Sequence, residues 1–148
     1  MNASKYKGFS LVEVMVVVSV VGILALMSIP GIRQGRETAE AIKTANDIRV
    51  FINAIDFYSA ETGSYPDAMA HQSVPPKIGE YLPSVWTNGT YNWFYDKRDS
   101  FTYVYFYNLK FTAEQATKVD SIIDDGNIST GRVRSGLGTG LIYLFEGG

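Results

Sequence analysis

The sequence predicts an α+β fold: a long N-terminal α-helix, apolar in its first half and amphipathic in its second, packed on a small antiparallel β-sheet. Three observations carry this. Residues 9–29 are apolar or small apart from Ser10, Ser19 and Ser28, and Glu13 is their only ionisable side chain. Beyond Pro30, Ile42, Ala45, Ile48, Ile52 and Ile55 recur at helical spacing, joined by Phe51 and Tyr58. Further on, residues 90–95 and 101–107 are aromatic-rich runs of strand length, separated by a polar turn at residues 96–100.

The N-terminal element comes first. A helix over residues 9–29 spans about 31 Å at about 1.5 Å per residue, the thickness of a bilayer core. Glu13 is its anomaly, because a carboxylate in a membrane segment costs about 2.5–3.5 kcal/mol and needs a partner, a proton or water. No side chain of the segment supplies that partner. A secretory signal peptide fits poorly: the apolar run is about twice the usual length, and no A-x-A-like cleavage site follows Ile29. An ordinary uncleaved anchor fits the length but gives no reason for Gly8-Phe9 or for Glu13.

The stretch Lys7-Gly8-Phe9-Ser10-Leu11-Val12-Glu13, followed by an apolar helix and Pro30, closely resembles the N-terminal signature of type IV pilins and of the pseudopilins of type II secretion. The resemblance implies a leader at residues 1–8, a transmembrane helix at 9–30, its amphipathic continuation at 31–63 and a globular domain at 64–148. It also implies that a prepilin peptidase cuts between Gly8 and Phe9 and methylates the new amine of Phe9. That amine is then the missing cation, pairing in a filament with Glu13 of a neighbouring subunit. The implied partners are further copies or other pseudopilins, the peptidase, the membrane and an inner-membrane assembly platform, with separate motor proteins supplying energy. Lys5 and Lys7 place the N-terminus in the cytoplasm by the positive-inside rule, and the globular domain in the periplasm.

Composition bounds the rest. At 148 residues there is room for one anchor and one small domain. With no cysteine, that domain relies on packing or a bound ion, and it lacks the disulfide-closed loop common among true type IV pilins. The net charge is −2, and loss of Lys5 and Lys7 with the leader makes it −2 − 2 = −4 from side chains. That balance gives no reason to expect a nucleic-acid partner.

The amphipathic helix is expected to continue to about Glu61 and stop at Thr62-Gly63, with Gly63 suited to a left-handed cap. Pro30, Gly31 and Gly35 weaken it, since proline removes a donor and glycine lowers helix propensity by about 1 kcal/mol. A break at Pro30 and Gly31 is expected, either as a simple kink or, as the resemblance suggests, as a point that bends or melts during assembly. The pattern ending in Gly63-Ser64-Tyr65-Pro66 is similar to that of major pseudopilins. Tyr65 is expected to fold back as an apolar plug, and Pro66 to force an extended exit.

Residues 67–90, with Pro75-Pro76, Pro83 and Asn88-Gly89, read as a long surface connection. His71 lies in it as the sole histidine and, without cysteines, makes no zinc site. In the hairpin that follows, Thr102, Val104 and Phe106 face one way and Phe101, Tyr103, Tyr105 and Tyr107 the other. One face is assigned to the helix and the other to a neighbouring subunit. Thr112-Ala-Glu-Gln115 is a capping box opening a helix to about Asp124, with Ala116, Val119, Ile122 and Ile123 on its buried side.

Residues 124–131, Asp-Asp-Gly-Asn-Ile-Ser-Thr-Gly, admit two readings: a glycine-capped turn, or a calcium loop, since hard cations want several oxygens from a short segment. The spacing is not that of an EF-hand, and no cofactor is assigned. Two acids at a helix C-terminus favour a cation or a nearby Arg132 or Arg134. Residues 136–140 form a flexible link and 141–145 a final strand. No nucleophile elbow, phosphate loop or metal-spaced motif is present, so an enzyme is not expected. The leading functional reading is a structural subunit of a type II secretion pseudopilus. A type IV pilin for adhesion, motility or DNA uptake is the alternative, and a membrane-anchored binding module that never polymerises is a third.

Overall fold

A computed structural model describes residues 8–69, 73–74, 76–98 and 100–146. Leader residues 1–7, with Lys5 and Lys7, and also His71, Pro75 and Asp99, lie outside the described residues. Helix α1 runs from Leu11 to Thr62, and the chain divides into two compact units, Met1–Glu37 and Thr38–Gly148.

In the first unit, every side chain from Leu11 to Met27 is exposed. A helix apolar on all sides has no stable place in water, so this segment belongs in lipid or among other helices. It is long and apolar enough to cross a membrane. The backbone is helical through Pro30 and Gly31.

In the second unit, α1 buries Ala41, Ala45, Ile48, Ile52 and Ile55 at alternating steps of four and three, with Thr44, Phe51 and Ala54 beside them. Ile42 was expected on this stripe but is 42% exposed, because the stripe passes through Ala41 instead. The helix ends at Thr62, and Gly63 takes φ +76° while its N–H donates to Ser59 O at 2.8 Å, the left-handed cap expected there.

The sheet has four antiparallel strands, β1 (Asn92–Lys97), β2 (Thr102–Tyr107), β3 (Val133–Ser135) and β4 (Leu141–Glu146), in the order β1-β2-β4-β3. Register places Trp93 opposite Phe106 and Phe106 opposite Leu141, and likewise aligns Tyr95, Val104, Tyr143 and Val133. These seven side chains lie on one face, all buried, and they form one core with the stripe of α1. Phe51 sits at its centre, edge-on to Trp86, Trp93 and Phe106 at ring separations of 5.0, 4.9 and 5.5 Å. Thr102, Val104 and Phe106 are buried and Phe101, Tyr103, Tyr105 and Tyr107 half-buried, so the two faces of β2 divide as the alternation predicts.

The connection after α1 departs from a surface loop. It contains a short helix α2 (Pro76–Gly79) and a 3-10 turn (Ser84–Trp86), and it sends Ile78, Leu82 and Trp86 into the core. Trp93 Nε1 donates to Trp86 O at 2.9 Å, fixing this segment to β1. Tyr65 packs against Phe145 at 5.6 Å, while Lys97 Nζ donates to Tyr65 O and Tyr95 Oη to Pro66 O. The plug therefore closes one end of the core. Helix α3 (Ala113–Ile123) opens with the predicted box: Thr112 N–H donates to Gln115 Oε1 at 2.9 Å and Gln115 N–H to Thr112 Oγ1 at 3.2 Å. Loop segments bond to both outer strands, Met69 N–H to Tyr95 O of β1 and Ser135 N–H of β3 to Ile128 O, which shields edges open to pairing.

Candidate functional site

Two places concentrate polar chemistry that packing alone does not explain. The first is the start of α1. Phe9 is 86% exposed, and a side chain added at Gly8 meets nothing within 4 Å among the described residues.

Glu13 differs from expectation. Its segment was read as holding no partner for the carboxylate, yet Ser10 N–H donates to Glu13 Oε2 at 2.8 Å and Glu13 N–H donates to Ser10 Oγ at 3.2 Å. This reciprocal pair is a capping box, with Ser10 as the N-cap of α1. It meets two of the helix's unpaired donors and places the negative charge at the positive end of the helix dipole. The partner is a backbone group, which a search for charged side chains passes over. The S-x-x-E spacing from Ser10 to Glu13 was the available signal.

The second place is the C-terminal end of α3. Carboxylate oxygens of Asp120, Asp124 and Asp125 lie within 4.8 Å of one another. Asp124 Oδ2 accepts from Arg132 N–H at 2.5 Å and Val133 N–H at 3.3 Å. Asp125 accepts from Asn127 N–H and from Thr130 Oγ1, each at 2.8 Å. These bonds hold its pKa below the usual carboxylate value. Gly131, at φ +69°, closes the loop so tightly that a Cβ there would lie 2.0 Å from Asp124 Oδ2.

Asp120 is the unusual member. It is 0% exposed, and its oxygens meet no donor among the described residues but have the Asp125 carboxylate beside them, a pair that can share a hydrogen bond when Asp120 is protonated. Burial first, then the charges of Asp125 and Asp124, push its pKa up to about 6. The cationic side chains expected to relieve these acids are engaged elsewhere. The Arg132 guanidinium donates to Tyr143 Oη at 3.4 Å, and Arg134 Nε donates to Gly131 O at 3.0 Å. It is the backbone N–H of Arg132 that serves the cluster. Sequence reading found Asp124 and Asp125 and missed Asp120, although its i, i+4 relation to Asp124 was legible. Oxygens gathered this closely, one pair buried without donors, suit a proton or a hard divalent cation.

Comparison with known proteins defines a class first. Residues 3–29 match the model of the prokaryotic N-terminal methylation motif, which covers Gly8, Phe9, Ser10 and Glu13 together with the apolar helix. The relatives then agree on one particular protein, the type II secretion system core protein G. That of Vibrio cholerae is 42% identical over 62 residues, covering 42% of this chain and 42% of that protein. That of Aeromonas hydrophila is 38% identical over 66 residues (45% and 46%), and that of Pseudomonas aeruginosa 29% identical over 93 residues (62% and 66%). The matched stretches thus span from under half to about two thirds of these relatives' length. No solved structure gives a significant match. The chain therefore carries a prokaryotic N-terminal methylation motif and is similar to type II secretion system core protein G.

Proposed function

We propose that this chain is a structural subunit of a type II secretion pseudopilus, which polymerises through α1 after cleavage between Gly8 and Phe9. The observation that carries it is the first half of α1: a span-length apolar helix, exposed from Leu11 to Met27, bearing one carboxylate at the fifth residue after the cleavage point. In the membrane that surface faces lipid; in the filament it faces other copies. The open space around Gly8, where an added side chain meets nothing within 4 Å among the described residues, leaves the junction accessible to a peptidase. N-methylated Phe9 then offers its amine to Glu13 of a neighbour. Gly31, around which an added side chain would meet nothing within 4 Å, supports a point of weakness used on assembly together with Pro30. The subunit sits in the bacterial inner membrane with its N-terminus cytoplasmic and its globular domain periplasmic. It meets the prepilin peptidase, the assembly platform and other pseudopilins in turn.

The test is Glu13→Ala. Membrane insertion and processing are expected to persist while incorporation into filaments is lost, as read by fractionation and electron microscopy. Filaments in normal number from this variant overturn the pairing.

A second reading concerns the Asp120–Asp124–Asp125 cluster, which we assign to a bound divalent cation, calcium by the hardness of its oxygens. Buried Asp120, whose oxygens lack donors, is the observation that favours it over a bare glycine-capped turn. In a domain without cysteines the ion takes the place of a disulfide, tying the end of α3 to the start of β3. Thermal denaturation in calcium is expected to rise above that in chelator; equal midpoints contradict it.

A further inference from the structure

The segment that leads from the 3-10 turn into β1 carries Asn88-Gly89-Thr90, all three exposed. Asn88 is the sole asparagine of the chain followed by glycine. Its Oδ1 accepts twice, from Thr90 N–H at 3.0 Å and from Thr90 Oγ1 at 2.7 Å, while its own N–H donates to Ser84 O at 2.8 Å. The bond from Thr90 N–H makes an Asx turn, so the backbone nitrogen of Gly89 lies within the ring that this bond closes, on the same short loop as Asn88 Cγ. Nothing stands in the way of the two. Gly89 takes φ +82°, an added side chain there would meet nothing within 4 Å, and its N–H donates to no acceptor among the described residues. Two donors on one amide oxygen are also the arrangement that stabilises negative charge developing on it. We propose that Asn88 is a self-modification site, at which the fold activates the side-chain amide for conversion to aspartate or isoaspartate. Solvent hydroxide removes the Gly89 amide proton, and that nitrogen attacks Asn88 Cγ while Thr90 N–H and Oγ1–H hold the oxyanion on Oδ1. The Cγ–Nδ2 bond then breaks, Nδ2 takes a proton from water and leaves as ammonia, and a cyclic imide remains. Water opens the imide at either carbonyl. The aspartate product keeps an oxygen for both Thr90 donors; the isoaspartate product lengthens the backbone by one methylene just after Trp86, whose carbonyl receives the Trp93 indole. The inference concerns the globular unit and stands apart from the pseudopilus reading.

The test must separate what the fold contributes from what the Asn-Gly sequence does alone. Purified full-length chain in detergent is aged at mildly alkaline pH, one portion folded and one in guanidinium. Each asparagine peptide is followed by mass spectrometry, and isoaspartate by enzymatic methylation. In the folded chain, conversion is expected at Asn88 ahead of Asn46, Asn53, Asn108 and Asn127, with ammonia released in equal amount. Thr90→Val keeps the backbone donor and removes the hydroxyl; it is expected to slow the folded site about fivefold, the weight of one hydrogen bond. The same variant is expected to match wild type in guanidinium, and Thr90→Ser to restore the folded rate. Folded Thr90→Val that converts as fast as wild type, or that is slowed equally in guanidinium, overturns activation by the fold. A folded wild-type chain in which Asn88 converts no faster than the other asparagines overturns the site itself.

Discussion

Asp120 is a buried carboxylate beside two others, Asp124 and Asp125. Its folded pKa, about 6, lies above the ordinary 3.8, so the folded chain binds more protons than the unfolded one between these values. Stability of the cation-free protein therefore falls as pH rises through about 4 to 6, and is fully lowered above that window. Asp120→Asn removes the buried charge. It is expected to flatten this pH dependence, to stabilise the protein in chelator at neutral pH, and to abolish the calcium-induced rise in melting temperature. Denaturation curves of the full chain in detergent, with calcium and with chelator, check all three. Gly131→Ala is expected to be destabilising in either condition, because its Cβ would collide with Asp124 Oδ2 and its backbone is left-handed.

At the scale of elements, the central ring of Phe51 joins α1 to the sheet and to the 3-10 turn. Phe51→Ala is expected to cost about 3–5 kcal/mol, read from chemical denaturation. Thr112→Ala removes the cap of α3 and is expected to cost about 1 kcal/mol. How legible these elements were depended on whether their signal was periodic. The stripe of α1 could be read from its spacing, with only Ile42 misplaced, and the faces of β2 from strict alternation. The hairpin, the capping box of α3 and the cap at Gly63 were legible because each depends on neighbours in sequence. The burial of Ile78, Leu82 and Trp86 was not, since prolines and glycines break any period in that segment and tertiary packing alone pulls these side chains inward. Strand β3, three residues long, is created by pairing with β4. The candidate sites divide by residue type and burial: Glu13, Asp124 and Asp125 stand out by type, Ser10 is legible from its S-x-x-E spacing to Glu13, and the burial of Asp120 comes from tertiary packing.

At the scale of the molecule, the two compact units have opposite needs. The globular unit satisfies itself, with an aromatic core, shielded sheet edges and capped helices. The N-terminal unit exposes an apolar helix that only lipid or other chains can cover, and the acid at its head, Glu13, is held locally by Ser10. A helix so exposed suits lipid or other helices, and the chain is similar to type II secretion system core protein G over under half the length of those relatives. In the proposed function, removal of the leader is the step on which assembly depends, because it creates the amine assigned to Glu13. The most direct measurement is the intact mass and N-terminal peptide map of the chain recovered from assembled filaments. A terminus at N-methylated Phe9 is the expected result; a filament built of chains that retain residues 1–8 would contradict it.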